Sequence, residues 1–287
     1  MKSQRFGLKL IALCALCALG YSQGAMAWTL AKNFNNGVAG TLAQKTDDGF
    51  SSSAGGSYYS YVNVAEGPLS AELNINGGTT AFGYWGGIFT LPENIQKGGE
   101  LWFRVKTYMP LDFNYDSTSE GNRLKFIRFH TMSPSNSNQG YDDWYINPKG
   151  SKTPFSWIFE GEQKWSDFGG ASDVIQLGQW EVYEMYVYFD DVPVDSGGKA
   201  RVRLWKNGKL LKEITDRKTL VGTTSYVDRV HLFTYWNGGA PKTQKMWVDD
   251  IVLTTDTPLK KDAQGNAFVG LDPSTNFAAP PVAPVAN

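Results

Sequence analysis

A histidine lies in the middle of an alternating run, VHLFTYW, at positions 230–236, and the chain has only two histidines. Alternate residues of this run are mostly apolar, whereas His231, Phe233 and Tyr235 occupy the other positions. Alternation of this length predicts a β-strand with one face in the core and one face outside it. Because imidazole titrates near neutral pH, His231 is a candidate for proton transfer on the outer face.

Proton transfer at His231 needs partners from neighbouring strands. Tyr235 shares its face but lies about 13 Å away at Cα, whereas adjacent strands are about 5 Å apart. Arg128 and His130 lie on one face of another predicted strand, LKFIRFH from 124, roughly 7 Å apart, and can converge on one ligand group. An arginine can hold a carboxylate through two hydrogen bonds, and a tyrosine hydroxyl can donate a proton. The predicted catalytic residues are His231, His130, Arg128, Tyr186 and Tyr188.

Two further predicted strands carry aromatic and charged side chains on the face away from the core. In 101–108 and 184–190, apolar residues alternate with tryptophan, tyrosine, arginine, lysine and glutamate, a mixture typical of the lining of a groove. The polar segment 132–153 is predicted as a long loop in which YDDWY forms an aromatic lip, or is packed down by its own rings. The predicted substrate-binding residues are Tyr235, Asn237, Trp102, Arg104, Glu184, Trp144 and Tyr145.

The elements that must position these residues are strands. Runs rich in aromatic and β-branched residues are separated by clusters of Gly, Asn, Asp, Ser and Pro, and a helical period is absent from the sequence. Asn207 and Gly208 favour the positive φ angles of a two-residue turn and predict a hairpin. This pattern predicts an all-β chain folded as a two-sheet jelly-roll β-sandwich.

Three segments are predicted along the chain. Residues 1–27 have a basic start, a short apolar run and the small-residue pattern Ala-Met-Ala, which together predict a secretory signal peptide. Both cysteines lie inside it, so the secreted or periplasmic chain would have no disulfide. Residues 28–256 form the predicted jelly-roll domain, and residues 257–287 form a C-terminal extension that is rich in Pro and Ala and disordered toward its end.

Charge and composition restrict the partners. A formal net charge of −1 offers no basic excess for nucleic acid, and no apolar run after the signal peptide is long enough to span a membrane. Ten tryptophans and fourteen tyrosines are typical of secreted β-proteins that stack sugars on exposed rings. The expected partner is an acidic polysaccharide or another carbohydrate, and the expected oligomeric state is a monomer.

A resemblance to a known family rests on KGGELWFRVKTYMPLDFNY, LKFIRFHT, GQWEVYEMYVYF, RVRLWKNGKLL and WVDDIVL. In this order the runs resemble concanavalin A-like jelly-roll domains, and among them the polysaccharide-lyase-like branch with heparin-lyase-like and glucuronan-lyase-like proteins. The resemblance covers roughly residues 28–256. It implies a bent sheet whose concave face binds a polysaccharide, and β-elimination beside a uronic acid by Tyr or His with a nearby Arg, Gln or Asn.

β-Elimination needs three groups at one sugar: one that offsets the uronate carboxylate, a base that takes the C5 proton, and an acid that protonates the departing O4. The resemblance therefore predicts a secreted polysaccharide lyase, and two alternatives stay open. A non-catalytic, lectin-like carbohydrate-binding domain would use the same groove. A glycoside hydrolase would use paired carboxylates, with Glu160 and Glu162, or Glu181 and Glu184, as the candidates.

No cofactor is expected for this chemistry, but one structural metal site is a candidate. Asp249 and Asp250 lie in the last predicted strand, and with oxygens near Asn35 or Gly37 they would form a calcium site. The alternative is that both are structural aspartates without a metal. The sequence contains no Cys/His cluster for zinc and no nucleotide-binding glycine motif.

Overall fold

A computed structural model describes residues 27–44, 47–53, 55–80, 84–116 and 121–272. The predicted signal peptide, up to residue 26, and the end of the C-terminal extension, from residue 273, lie outside the described residues. Neither of the two short 3₁₀ turns found in the described part, Ala171–Asp173 and Val194–Ser196, is long or apolar enough to cross a membrane.

The described residues form fifteen β-strands. They are β1 (Thr29–Lys32), β2 (Ser52–Ser53), β3 (Ser57–Ser60), β4 (Ser70–Ile75), β5 (Gly87–Gln96), β6 (Glu100–Tyr108), β7 (Leu124–Met132), β8 (Asn138–Ile146), β9 (Phe155–Phe159), β10 (Lys164–Phe168), β11 (Trp180–Tyr188), β12 (Arg201–Lys206), β13 (Lys209–Ile214), β14 (Tyr226–Trp236) and β15 (Gln244–Thr254).

The strands build two antiparallel sheets. One is eight-stranded, in the order β13-β12-β11-β6-β15-β4-β3, with β1 also paired to β15. The other is seven-stranded, in the order β10-β9-β8-β7-β14-β5-β2. The all-β, two-sheet prediction is confirmed, and so is the hairpin between β12 and β13, where Asn207 and Gly208 have φ angles of 48° and 78°.

The core lies between the sheets and follows the alternation in the sequence. Leu101, Phe103 and Val105 of β6 enter it from the eight-stranded sheet, and Val230 and Leu232 of β14 enter it from the seven-stranded sheet. Burial of a side chain of this size contributes about 1.5–3 kcal/mol to folding. A slip of either strand by one residue would exchange its two faces, so core burial holds the polar faces outward.

Two bulges, one in β7 and one in the adjacent β14, change which residues of these strands face the core. The register shifts between Leu232 and Tyr235, and Phe233, with φ of 50°, packs into the core against Phe126 with ring centroids 4.6 Å apart. The prediction that Phe233 shares the outer face with His231 is therefore wrong. On β7 the shift at Phe126 keeps Lys125 on the outer face beside Arg128.

The segment 132–153, predicted as a loop, contains β8, which lies in the middle of the seven-stranded sheet between β7 and β9. Tyr141, Asp143 and Tyr145 point outward from β8, whereas Trp144 lies in the core against Phe126. Trp144 is fully buried, so the prediction that it contacts a substrate is wrong.

The C-terminal extension covers part of the outer face of the eight-stranded sheet. Arg104 donates hydrogen bonds to the carbonyl oxygens of Gly270 and Leu271, at 2.9 and 2.6 Å. Glu184 accepts hydrogen bonds from the backbone N–H groups of Val269 and Gly270, at 2.6 and 3.0 Å. Residues 257–272 are therefore packed on the sandwich.

One core position of β8 is occupied by a carboxyl group. Asp142 is fully buried opposite Phe129 and Phe159, and its oxygens have no hydrogen-bond partner among the described residues. Burial, together with the neighbouring Asp143 and Glu160, raises the pKa of Asp142 well above its ordinary value. Burial therefore favours the neutral form of Asp142 in the folded protein.

We expect Asp142→Asn to flatten the pH dependence of stability. The pKa is raised in the folded state, so the contribution of Asp142 is fully present below its unfolded pKa and is lost as pH rises. The loss is about 1.4 kcal/mol for each pH unit between the two pKa values. Urea unfolding at pH 5 and pH 7 measures it; the exposed Asp195→Asn is the control. Parallel pH profiles for wild type and Asp142→Asn would contradict the assignment.

Candidate active site

Nine side chains form a cluster on the outer face of the seven-stranded sheet, three each from β14, β7 and β8. Strand pairing aligns them in three rows. We call this set the nine-residue cluster: Arg229, His130 and Tyr141 in the first row, His231, Arg128 and Asp143 in the second, and Tyr235, Lys125 and Tyr145 in the third. Adjacent strands place the members of one row about 5 Å apart at Cα.

The first row joins a cation, an imidazole and a phenol. A bulge at Asp228 of β14 turns its side chain to the same face as Arg229. Asp228 Oδ1 lies 2.7 Å from His130 Nδ1, and Asp228 Oδ2 accepts a hydrogen bond from Arg229 Nε at 2.9 Å. Despite burial, these two hydrogen bonds lower the pKa of Asp228 to about 2. Because the Asp228 carboxylate lies against Nδ1 of His130, Nε2 is the ring nitrogen left for contact with a ligand.

The Tyr141 ring lies at the centre of the catalytic candidates. The Arg128 guanidinium carbon lies 3.7 Å from its ring centroid, and the His130 and His231 rings lie at 4.9 and 5.3 Å. Burial raises the pKa of Tyr141, against the opposing charge of Arg128, so its hydroxyl is protonated at neutral pH. Tyr141 is only half-buried and offers a donor to a ligand on this face.

A buried ion-pair network holds the other two rows. Asp143 accepts hydrogen bonds from Arg128 Nε at 2.7 Å, from Lys125 Nζ at 2.9 Å and from the Tyr145 hydroxyl at 2.9 Å. Burial alone would raise the pKa of Asp143, but Arg128 and Lys125 hold it at about 2. Glu160 lies 2.5 Å from Lys125 Nζ; burial and then Asp143 raise the pKa of Glu160 to about 7.

His231 lies on the outer face, as predicted, but it is not solvated. The residue is 2% exposed, and its ring centroid lies 5.7 Å from that of His130. Burial, followed by the charges of Arg128 and His130, lowers the pKa of His231 to about 2. His231 is therefore neutral across the physiological range. Its predicted role in catalysis stays a prediction, as does that of Arg128 and His130.

Five predicted site residues lie on the other sheet. Trp102 and Arg104 belong to β6, and Glu184, Tyr186 and Tyr188 belong to β11. Both strands are in the eight-stranded sheet, with their polar faces on the opposite side of the sandwich from His231. The prediction of one groove that joins these residues to His231 is wrong, because a sandwich has two outer faces.

The remaining predicted binding residues lie at the third row. Tyr235 is half-buried, and its ring centroid lies 5.5 Å from Lys125 Nζ. Tyr145 is buried beneath the same ammonium group, at 5.3 Å. Asn237 follows the end of β14, where its backbone N–H donates to the Arg123 carbonyl oxygen at 2.9 Å. The structure thus brings Tyr235, Tyr145 and Asn237 to one end of the nine-residue cluster.

Four functional candidates were missed by the sequence reasoning: Tyr141, Asp143, Lys125 and Arg229. The first two alternate with Tyr145 in YDDWY, but Asp142 at a core position conceals the period-two signal. Lys125 and Arg229 each lie beside a bulge, which changes the phase of the alternation. The alternation of Tyr141, Asp143 and Tyr145 is the one feature of the sequence that could have indicated a strand here.

Asp249 and Asp250 make protein contacts. The Asp249 carboxylate accepts backbone N–H groups from Ala65, Glu66 and Asp250 at 2.7–3.1 Å. Asp250 Oδ2 lies 2.8 Å from both Arg104 Nη1 and Lys106 Nζ. Within the described residues, no group of three or more His, Cys, Asp or Glu is placed to hold a metal ion. Calcium at this pair stays a prediction that the contacts do not favour.

The fold is the jelly-roll sandwich found in polysaccharide lyases, which confirms the predicted resemblance. The alginate lyase Aly36B superimposes with a TM-score of 0.56 at 14% identity, over 80% of this chain and 97% of that chain. An endo-β-1,4-glucuronan lyase from the fungus Trichoderma reesei superimposes with a TM-score of 0.54 at 11% identity, over 85% and 98%. An alginate lyase from Aplysia kurodai has a TM-score of 0.51 at 9% identity, over 80% and 99%. No family model and no curated protein sequence matches the chain.

Proposed function

We propose that this protein is a secreted polysaccharide lyase that cleaves a uronic-acid polymer by β-elimination on the outer face of the seven-stranded sheet. The observation that carries the proposal is the first row of the nine-residue cluster. Arg229, His130 and Tyr141 are adjacent across three strands, so a cation, a base and an acid can act on one sugar. The shared fold with alginate and glucuronan lyases supports the same chemistry.

The proposed reaction assigns one role to each member of the row. Arg229, whose side chain is 40% exposed, offsets the uronate carboxylate and makes the C5 proton more acidic. His130 Nε2 takes that proton, while Asp228 positions the ring through Nδ1. The Tyr141 hydroxyl protonates O4 as the C4–O4 bond breaks and the C4=C5 double bond forms. His231 is a neutral positioning residue, because its ring packs against Tyr141.

The carboxyl pairs that a glycoside hydrolase would need are held by structural contacts. Glu160 lies 2.5 Å from Lys125 Nζ, which also binds Asp143, and Glu162 lies 3.0 Å from Lys164 Nζ. Glu181 is paired with Lys206, and Glu184 binds backbone N–H groups of the C-terminal extension. These contacts favour elimination over hydrolysis.

A polymer screen tests the proposal. The protein is incubated with alginate, glucuronan, pectate and glycosaminoglycans, and the ultraviolet absorbance of the unsaturated uronate product is followed. We expect absorbance to rise with at least one of these polymers and with none of the neutral glucans. Binding without any rise in absorbance would overturn the lyase proposal in favour of a lectin-like domain. New reducing ends without absorbance would indicate a hydrolase.

A further inference from the structure

The most exposed tryptophan of the protein lies on the same outer face as the nine-residue cluster. Trp165 of β10 is 42% exposed, whereas the other nine tryptophans are half-buried or buried. It pairs with Ile158 of β9, which pairs in turn with Asp143. Trp165 therefore extends the second row of the cluster to the edge of the sheet. The apolar surface of this indole is left in contact with water, and a sugar ring stacked on it would bury that surface.

The Trp165 ring is held in place from two sides. Its centroid lies 5.0 Å from the Tyr145 ring and 4.8 Å from the guanidinium carbon of Arg123. Arg123 Nε donates to Asn147 Oδ1 at 2.9 Å, and Asn147 is buried and donates in turn to the Thr153 carbonyl oxygen at 3.0 Å. The indole and the guanidinium thus form a pre-ordered pair.

Arg123 keeps hydrogen-bonding capacity for a ligand. Only its Nε is used in the described part of the protein, and its two Nη groups make no hydrogen bond there. An ammonium or guanidinium beside an aromatic face matches a sugar that carries a carboxylate, because the ring stacks and the charge pairs. A neutral sugar would use the indole alone.

We propose that Trp165 and Arg123 form a distal subsite for a uronate unit of the polymer, and this inference rests on the proposed function. The sugar ring stacks on the indole, and its carboxylate pairs with the guanidinium. The subsite lies three strands from β7, roughly 14 Å from the reacting sugar. The polymer therefore runs across the strands from β14 toward β10. Only chains long enough to span this distance gain from the subsite, so the enzyme discriminates by chain length.

Kinetics against chain length test the subsite. With purified oligomers of the cleaved polymer, Trp165→Ala should raise KM about tenfold for long oligomers, with kcat unchanged. For oligomers too short to reach β10, KM should equal the wild-type value. Trp165→Phe should retain most of the affinity for long oligomers. Arg123→Gln should weaken the binding of long acidic oligomers, and Arg123→Lys should retain part of that binding. Trp180→Ala, a half-buried tryptophan on the other sheet, is the matched control.

Equal KM values for Trp165→Ala and wild type at every oligomer length would overturn the subsite. A rise in KM of the same size at every oligomer length would overturn it as well. Its failure is distinguishable from that of the proposed function. If no polymer is cleaved, calorimetric titration with oligouronates of increasing length still tests the subsite. Length-dependent loss of binding in Trp165→Ala would then support the subsite while the lyase proposal fails.

Discussion

Replacing Tyr141 by phenylalanine is expected to lower kcat on the preferred uronic-acid polymer by roughly a hundred- to ten-thousandfold, with little change in KM. The variant keeps the ring on which Arg128 stacks and against which His231 packs, and removes only the hydroxyl. A general acid contributes to the transition state and not to ground-state binding, so its loss appears in kcat. Initial rates from the absorbance of the unsaturated product measure both constants.

A matched tyrosine provides the control for this prediction. Tyr188 lies on β11 of the other sheet, half-buried beside Lys199, and it is one of the residues that the sequence pattern grouped with His231. Tyr188→Phe should leave both constants at the wild-type value. Full activity of Tyr141→Phe would remove Tyr141 as the acid, and a large loss in Tyr188→Phe would place the reaction on the other sheet.

Replacing Asp143 by alanine is expected to lower the free energy of unfolding at pH 7 by about 3–5 kcal/mol. The substitution removes the carboxylate that Arg128, Lys125 and Tyr145 share and leaves two buried cations with only Glu160 to balance them. A buried charge without its partner is far more costly than a lost surface pair. Chemical unfolding at pH 7 measures the loss.

The pH dependence of this effect follows from the depressed pKa of Asp143. Its ionisation contributes stability that is present above the unfolded pKa, near 4, and is lost as pH falls toward about 2. The difference between wild type and Asp143→Ala should therefore shrink in acid. The exposed pair of Asp112 with Lys242 is the control, and Asp112→Ala should change the free energy of unfolding only slightly. A loss of that small size in Asp143→Ala would show that the network does not stabilise the sheet.

Much of the fold could be predicted because the alternation of apolar residues is a local property of each strand. The core faces of β6 and β14 were read from Leu101, Phe103, Val230 and Leu232 without reference to any other strand. The Asn-Gly turn between β12 and β13 is local as well, because it depends on two φ angles. These signals determine which side chains point inward and where the chain turns.

The candidate site was predicted only in part. Arg128, His130 and His231 were placed together correctly, and β7 and β14 are adjacent. Tyr141 and Asp143 were assigned to a loop because Asp142, a carboxyl in the core, interrupts the apolar alternation of β8. Bulges at Asp228 and Phe126 then decide which polar residues reach the outer face, and a bulge depends on pairing with another strand.

Local patterns in the chain were enough to establish that it is all-β and which faces of its strands are apolar. They also indicated that several strands carry aromatic and basic residues, and the two histidines, on the face away from the core. The division of β6 and β11 into one sheet and of β7, β8 and β14 into the other depends on long-range strand pairing. Alternation separates inside from outside but cannot tell one outer face from the other, because both sheets of a sandwich bury one face in the same core. Long-range pairing therefore assembles the cluster around Tyr141, and the packing of residues 257–272 covers the other candidate face.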